Sequence, residues 1–133
     1  LQARLVYSSN FSSGVNSLFY FIPGLARQLE KYNFHAKIKE THHPDKKDSP
    51  SGTALTLAEI LQRELKSQAP IESYRTEENP GEHTILLDSE GERIEIKHKA
   101  KSRRPFALGA VNAAYLVREQ NPGIYNYKDL LSS

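Results

Sequence analysis

Residues 82 to 98 carry the pattern that most narrows the fold. After a Pro80-Gly81 turn, an arm of about Glu82 to Leu87 meets Asp88-Ser89-Glu90-Gly91, and the chain returns over about Glu92 to His98. In the returning arm Ile94 and Ile96 alternate with Arg93, Glu95 and Lys97, the two-residue period of a strand with one wet face. This predicts an antiparallel hairpin. A second alternation, His35 to Thr41, sets Ala36, Ile38 and Glu40 against Lys37 and Lys39, and a short strand is expected over residues 3 to 8. Helical spacing fills three intervals. Val15, Leu18, Phe19, Ile22, Leu25, Ala26 and Leu29 mark the first, where Pro23-Gly24 should kink or divide the helix. Leu55, Leu57, Ala58, Leu61 and Leu65 mark a second, from Pro50 to near Gln68, and Phe106, Ala110, Ala113, Ala114 and Val117 a third, over 105 to 119. A short last helix is expected around Tyr127 to Leu131. The class is α+β: a mixed open sheet of about four strands covered by helices.

Composition bounds the function. At 133 residues the chain is expected to form one domain, 1–133. A formal net charge of +2 gives no whole-molecule basic field for nucleic acid. No apolar run approaches the roughly 18 residues of a membrane span. With no cysteine there is no disulfide framework, thiolate metal site or cysteine nucleophile. The chain begins at Leu1, holds no methionine and shows no secretory signal, so an excised part of a longer cytoplasmic protein is expected.

The densest chemistry lies between Glu40 and Thr53, Glu-Thr-His-His-Pro-Asp-Lys-Lys-Asp-Ser-Pro-Ser-Gly-Thr. A strand delivers two histidines to a polar loop, and the loop ends at a helix start. Histidine exchanges protons near neutral pH, and lysine offers a cation or a proton. Ser51, Gly52 and Thr53 put hydroxyls and free N–H groups at a helix N-terminus, which suits a carboxylate or phosphate. Each part also has a plainer reading: solvated histidines, an N-cap serine, a charged turn at Lys46 and Lys47. A metal reading of His42, His43 and Asp45 is weakened because adjacent strand residues point oppositely. The conjunction of all of them within fourteen residues favours a site.

Glu40-Thr41-His42-His43, Lys46, Asp48 and Pro50-Ser51-Gly52-Thr53-Ala54 resemble the signature of the dihydrodipicolinate reductase family. Ser9-Asn10-Phe11-Ser12 with Gly14-Val15-Asn16, Gly81-Glu82-His83-Thr84, Gly91-Glu92-Arg93, His98-Lys99-Ala100, and Ser102-Arg103 through Phe106-Ala107 to Gly109-Ala110-Val111 match in order. The resemblance implies NADH- or NADPH-dependent reduction of a cyclic unsaturated dicarboxylate in lysine and diaminopimelate biosynthesis. It implies His42 as catalytic acid/base and Lys46 as proton donor, with His43, Ser51, Gly52 and Thr53 holding substrate carboxylate. Ser8, Ser9, Asn10 and Phe11, in a hinge segment over residues 1–12, would touch the cofactor, as would Arg103 and Phe106. Metal is not implied; a homotetramer is. The family opens with a dinucleotide-binding domain, and no G-x-G-x-x-G occurs here. The chain therefore reads as the C-terminal substrate and assembly part, lacking the Rossmann domain and inactive alone. The linker of about residues 69 to 81 looks shorter than in many members.

A rival reading is a small anion-binding or interaction module without chemistry. It rests on the same helix start and on Lys97, Lys99, Lys101, Arg103 and Arg104, which form either a solvated face or a cationic wall that steers anions. His83 and His98, on opposite arms of the hairpin, are expected to face each other as structural groups.

Overall fold

A computed structural model of the chain describes residues 2–132. The elements run β1 (Arg4–Tyr7), α1 (Ser13–Leu29), a 3-10 turn (Glu30–Tyr32), β2 (His35–His42), α2 (Gly52–Leu65), β3 (Ile71–Arg75), β4 (Glu82–Asp88), β5 (Arg93–Lys99), α3 (Arg104–Arg118), β6 (Gly123–Asn126) and α4 (Tyr127–Leu131). They group into two compact units, residues 21–101 and residues 2–20 with 102–132.

The unit of residues 21–101 is built on a four-stranded sheet in the order β3-β2-β4-β5, mixed as expected. β3 runs parallel to β2, which requires the crossover that α2 supplies. β4 lies antiparallel to both β2 and β5. α2 packs on β2 and buries Ala54, Leu57, Ala58, Ile60, Leu61 and Leu65. It ends at Leu65, short of Gln68, because Lys66 takes the left-handed conformation (φ 57°) that closes a helix. The opposite face of the sheet carries Lys37, paired with Glu72, and an exposed Tyr74. β3 occupies a stretch read from the sequence as linker.

In the unit of residues 2–20 and 102–132, β1 and β6 form a two-stranded parallel sheet. α3 buries only Gly109, Ala113 and Val117 and exposes Leu108, Val111 and Tyr115. α1 continues unbroken through Pro23. Val15, Phe19, Ile22 and Ala26 are all at most 2% exposed, so one apolar stripe holds the helix on both sides of the proline against its local cost of about 3 kcal/mol. Among the described residues no helix is long and apolar enough to cross a membrane.

Candidate active site

The site grows out of the sheet in rows. Ile71, Ile38, Ile85 and Ile96 lie side by side across β3, β2, β4 and β5. Two residues further along, on the same face, the row reads Ser73, Glu40, His83 and His98, and beyond it Arg75 stands beside His42. One step of the pleat thus converts an isoleucine core into a buried polar patch. Glu40, His42 and His83 are 0%, 6% and 4% exposed.

A carboxylate so placed must be held by donors. Arg75 Nη1 donates to Glu40 Oε1 at 2.9 Å, and the nearby Ser73 and Ser51 also favour the ionised carboxylate. Burial opposes its ionisation, but Arg75, Ser73, Ser51 and the charge of His42 outweigh burial, and the pKa lies below the ordinary carboxylate value. Arg75 is fixed in turn by Nη2 donating to the Asp48 carbonyl at 2.8 Å. His42 Nδ1 stands 2.6 Å from Glu40 Oε2. The contact is close without the geometry of a well-formed hydrogen bond, and neither atom has such a bond to another described residue. Burial lowers the His42 pKa, and Lys46 and Arg75 lower it further against the opposing charge of Glu40. His83 packs edge-on against His42 with ring centroids 5.1 Å apart. Burial, then the neighbouring His42, brings its pKa down to about 4.

Gly81 lies against His42. Its φ of +148° favours glycine, and a Cβ there would lie 3.1 Å from His42 Nε2. Its N–H donates to Asn79 Oδ1, while the Asn79 carbonyl accepts from the His43 N–H at 2.8 Å. His43 is therefore held by its backbone just past β2, with a half-buried side chain. Lys46 Nζ lies 2.8 Å from Asp48 Oδ1, and the Lys46 contact holds Asp48 below its ordinary pKa.

Ser51 is the N-cap of α2 and accepts from the Ala54 N–H at 3.2 Å. Its hydroxyl also meets His83 Nε2 at 3.1 Å and is buried. The Ser51 side chain is thus committed within the protein, and what the helix start can offer an anion is the backbone N–H groups of its first turn. Gly52 is half-buried and Thr53 buried. Glu40, His42 and His83 set three ligand-type atoms within 4.8 Å of one another. Arg75 Nη1 donates to the other oxygen of that carboxylate, Oε1. The sequence reading of His42, His43 and Asp45 as ligands has no counterpart in this grouping.

Ser8, Ser9, Asn10, Phe11, Arg103 and Phe106 all fall in the other unit. Ser8 Oγ lies 2.5 Å from the Asn10 carbonyl and 3.0 Å from Asn16 Oδ1. Asn10 Oδ1 accepts from the Ser12 N–H, and Ser12 Oγ accepts from Val15 N–H, capping α1. The Phe11 ring lies 5.6 Å from that of the buried Tyr127. Ser9 is exposed, Arg103 is the exposed residue preceding α3, and Phe106 is half-buried in its first turn. Sequence reasoning passed over Glu40, Arg75 and Gly81 as site residues. The two-residue period of β2 carried a signal for Glu40, since it places that carboxylate on the face of His42. Arg75 had none without knowledge of β3.

The family described as "Dihydrodipicolinate reductase, C-terminus" matches residues 14–131. A 4-hydroxy-tetrahydrodipicolinate reductase of Thermosipho africanus is 43% identical over 130 residues, covering 98% of this chain and 57% of the relative. Its counterpart in Christiangramia forsetii is 44% identical over 145 residues, covering 98% and 59%. The chain thus spans less than three-fifths of the length of these relatives. A solved structure, dipicolinate-bound dihydrodipicolinate reductase from Paenisporosarcina sp. TG-14, has the same fold with a TM-score of 0.78 at 22% identity, over 96% of this chain and 55% of that one.

Proposed function

The chain belongs to the dihydrodipicolinate reductase family, matching its C-terminal part, and from that membership we propose that it is the substrate-binding and acid/base part of a 4-hydroxy-tetrahydrodipicolinate reductase. The observation that carries the reading is the convergence of Glu40, His42, His83 and Arg75 beside the loop that bears Lys46 and the start of α2. The substrate is a cyclic unsaturated dicarboxylate. First-turn N–H groups at Gly52 and Thr53, with His43, receive one carboxylate, as expected of a helix N-terminus. The Lys46 ammonium faces the charge that develops when the ring is reduced and donates a proton to it. His42, neutral near pH 7 because burial depresses its pKa, exchanges that proton through its ring.

A nicotinamide cofactor supplies the hydride when bound. The residues present fit only its edge. The Ser8–Asn10–Ser12 turn is closed on itself by hydrogen bonds, and no glycine-rich phosphate turn occurs in the sequence. Ser8, Ser9, Asn10, Phe11, Arg103 and Phe106 are proposed as contacts to that edge, with the pyrophosphate held outside this chain. The isolated chain is therefore proposed to be inactive. A cytoplasmic homotetramer in the lysine and diaminopimelate pathway, assembled through the open sheet face that carries Lys37, Glu72 and Tyr74, completes the proposal.

The test joins this chain to the N-terminal part of the Thermosipho africanus relative and measures turnover. His42→Gln or Lys46→Met is expected to lower kcat by roughly 10² to 10⁴, the range for loss of a positioned acid or base. Near-normal turnover in both variants would overturn the assignment.

A further inference from the structure

Donor and acceptor counting around Glu40 reaches further than the acid/base assignment. An ionised carboxylate only accepts hydrogen bonds, and Arg75 Nη1 already donates to this one, with Ser73 and Ser51 also favouring its anion. The remaining close contact is His42 Nδ1, 2.6 Å from Oε2. Were that nitrogen unprotonated, its lone pair would face a carboxylate oxygen in a buried site, a repulsion no nearby group relieves. The Arg75 guanidinium stands against the opposite solution, a protonated Glu40 that donates to Nδ1. Ser51 has a single hydroxyl proton. Given to Glu40, it leaves Oγ to accept from the Ala54 N–H and from His83 Nε2. His83 Nε2 must then carry its proton.

We propose that Glu40 is the positioning residue of His42, holding the ring as the Nδ1–H tautomer with Nε2 left to exchange protons, and that Ser51 and His83 hold Glu40, with His83 in the opposite, Nε2–H tautomer. Gly81 fits this arrangement: another residue would set a Cβ 3.1 Å from His42 Nε2, a contact that glycine avoids. The charged and titratable groups acting on His42 include Glu40, Lys46, Arg75 and His83. This inference rests on the reading of His42 as the acid/base.

Long-range proton–nitrogen NMR correlations of the 133-residue chain at about pH 8, where unprotonated imidazoles dominate, test it. His42 is expected to show a pyrrole-type Nδ1 and a pyridine-type Nε2, and His83 the reverse. A pyrrole-type Nε2 at His42, or the same tautomer at both rings, would overturn the proposal. In Glu40→Gln, the amide oxygen turns to Arg75 and the NH2 to His42 Nδ1. His42 is expected to switch to Nε2–H while backbone amide shifts outside the Ser73-Glu40-His83 row stay in place. An unswitched His42 in the folded variant would also overturn it. Should that variant not fold, the wild-type tautomer pair decides alone. Correct tautomers with normal turnover in His42→Gln would sink the acid/base reading and leave the positioning standing. Lost turnover with the wrong tautomers would do the opposite.

Discussion

In residues 21–101 ionisable side chains are buried and converge from separate strands, whereas in residues 2–20 and 102–132 the buried polar side chains are neutral and local. Glu40, His42, His83 and Arg75 come from β2, β4 and β3 and meet only because the sheet registers them. The buried polar side chains of the other unit, Ser12 and Asn16, satisfy backbone groups within a few residues of themselves. A hydroxyl or amide bonded to its own turn shapes the chain. A carboxylate brought out of water against a histidine costs stability, and the donors around it must offset that cost. Chemistry is expected where such groups accumulate, and the proposed acid/base residue His42 lies among them.

The sharpest break of this contrast is steric. A Cβ at Gly109 would lie 1.5 Å from the Phe11 carbonyl oxygen. Gly109→Ala is therefore expected to cost more than about 3 kcal/mol, beyond ordinary overpacking because the neighbour is backbone. Chemical denaturation checks it, and a loss under 1 kcal/mol would show that α3 does not approach so closely. Next is Arg75→Met, which leaves the Glu40 carboxylate buried without its guanidinium and should cost about 3 kcal/mol. A neutral outcome would mean that Ser73 and Ser51 suffice.

Protonation sharpens the same comparison. The folded-state pKa of His83 is about 4, below the ordinary 6.5, so the unfolded chain binds the proton first as pH falls. The stability associated with neutral His83 is complete above about pH 6.5 and is lost progressively down to about 4, a change of roughly 3 kcal/mol. His42 and His98, also depressed by burial, act in the same direction. Denaturation midpoints across that window should fall in the wild type and flatten in His83→Gln; an unchanged slope would place the acid sensitivity elsewhere. The smallest effect is expected on the exposed face of α3, where Val111→Ser should alter stability by no more than about 0.5 kcal/mol.

How much of this was legible follows from which contacts are local. The hairpin of β4 and β5 was readable because its turn and its alternation lie together in sequence, and the facing of His83 with His98 followed from it. The start of α2 was readable from Pro50-Ser51-Gly52-Thr53. β3 was not. Ile71-Glu72-Ser73-Tyr74-Arg75 follows Pro70 and is half polar, and only its parallel pairing with β2 makes it a strand. Arg75 was lost with it, and with Arg75 the reason Glu40 can be buried as an anion. β6 was missed likewise, being four residues whose partner β1 lies more than a hundred residues away. The role of Ser51 shifted for a related cause: its hydroxyl meets His83, a residue 32 positions on.

The most direct test of the central claim is an NMR titration of the chain with pyridine-2,6-dicarboxylate against a phosphate control. Selective shifts are expected at the His42 and His43 rings and at the Gly52 and Thr53 amides with the dicarboxylate. An equal response to phosphate at the same residues would contradict it and leave a generic anion-binding module in its place.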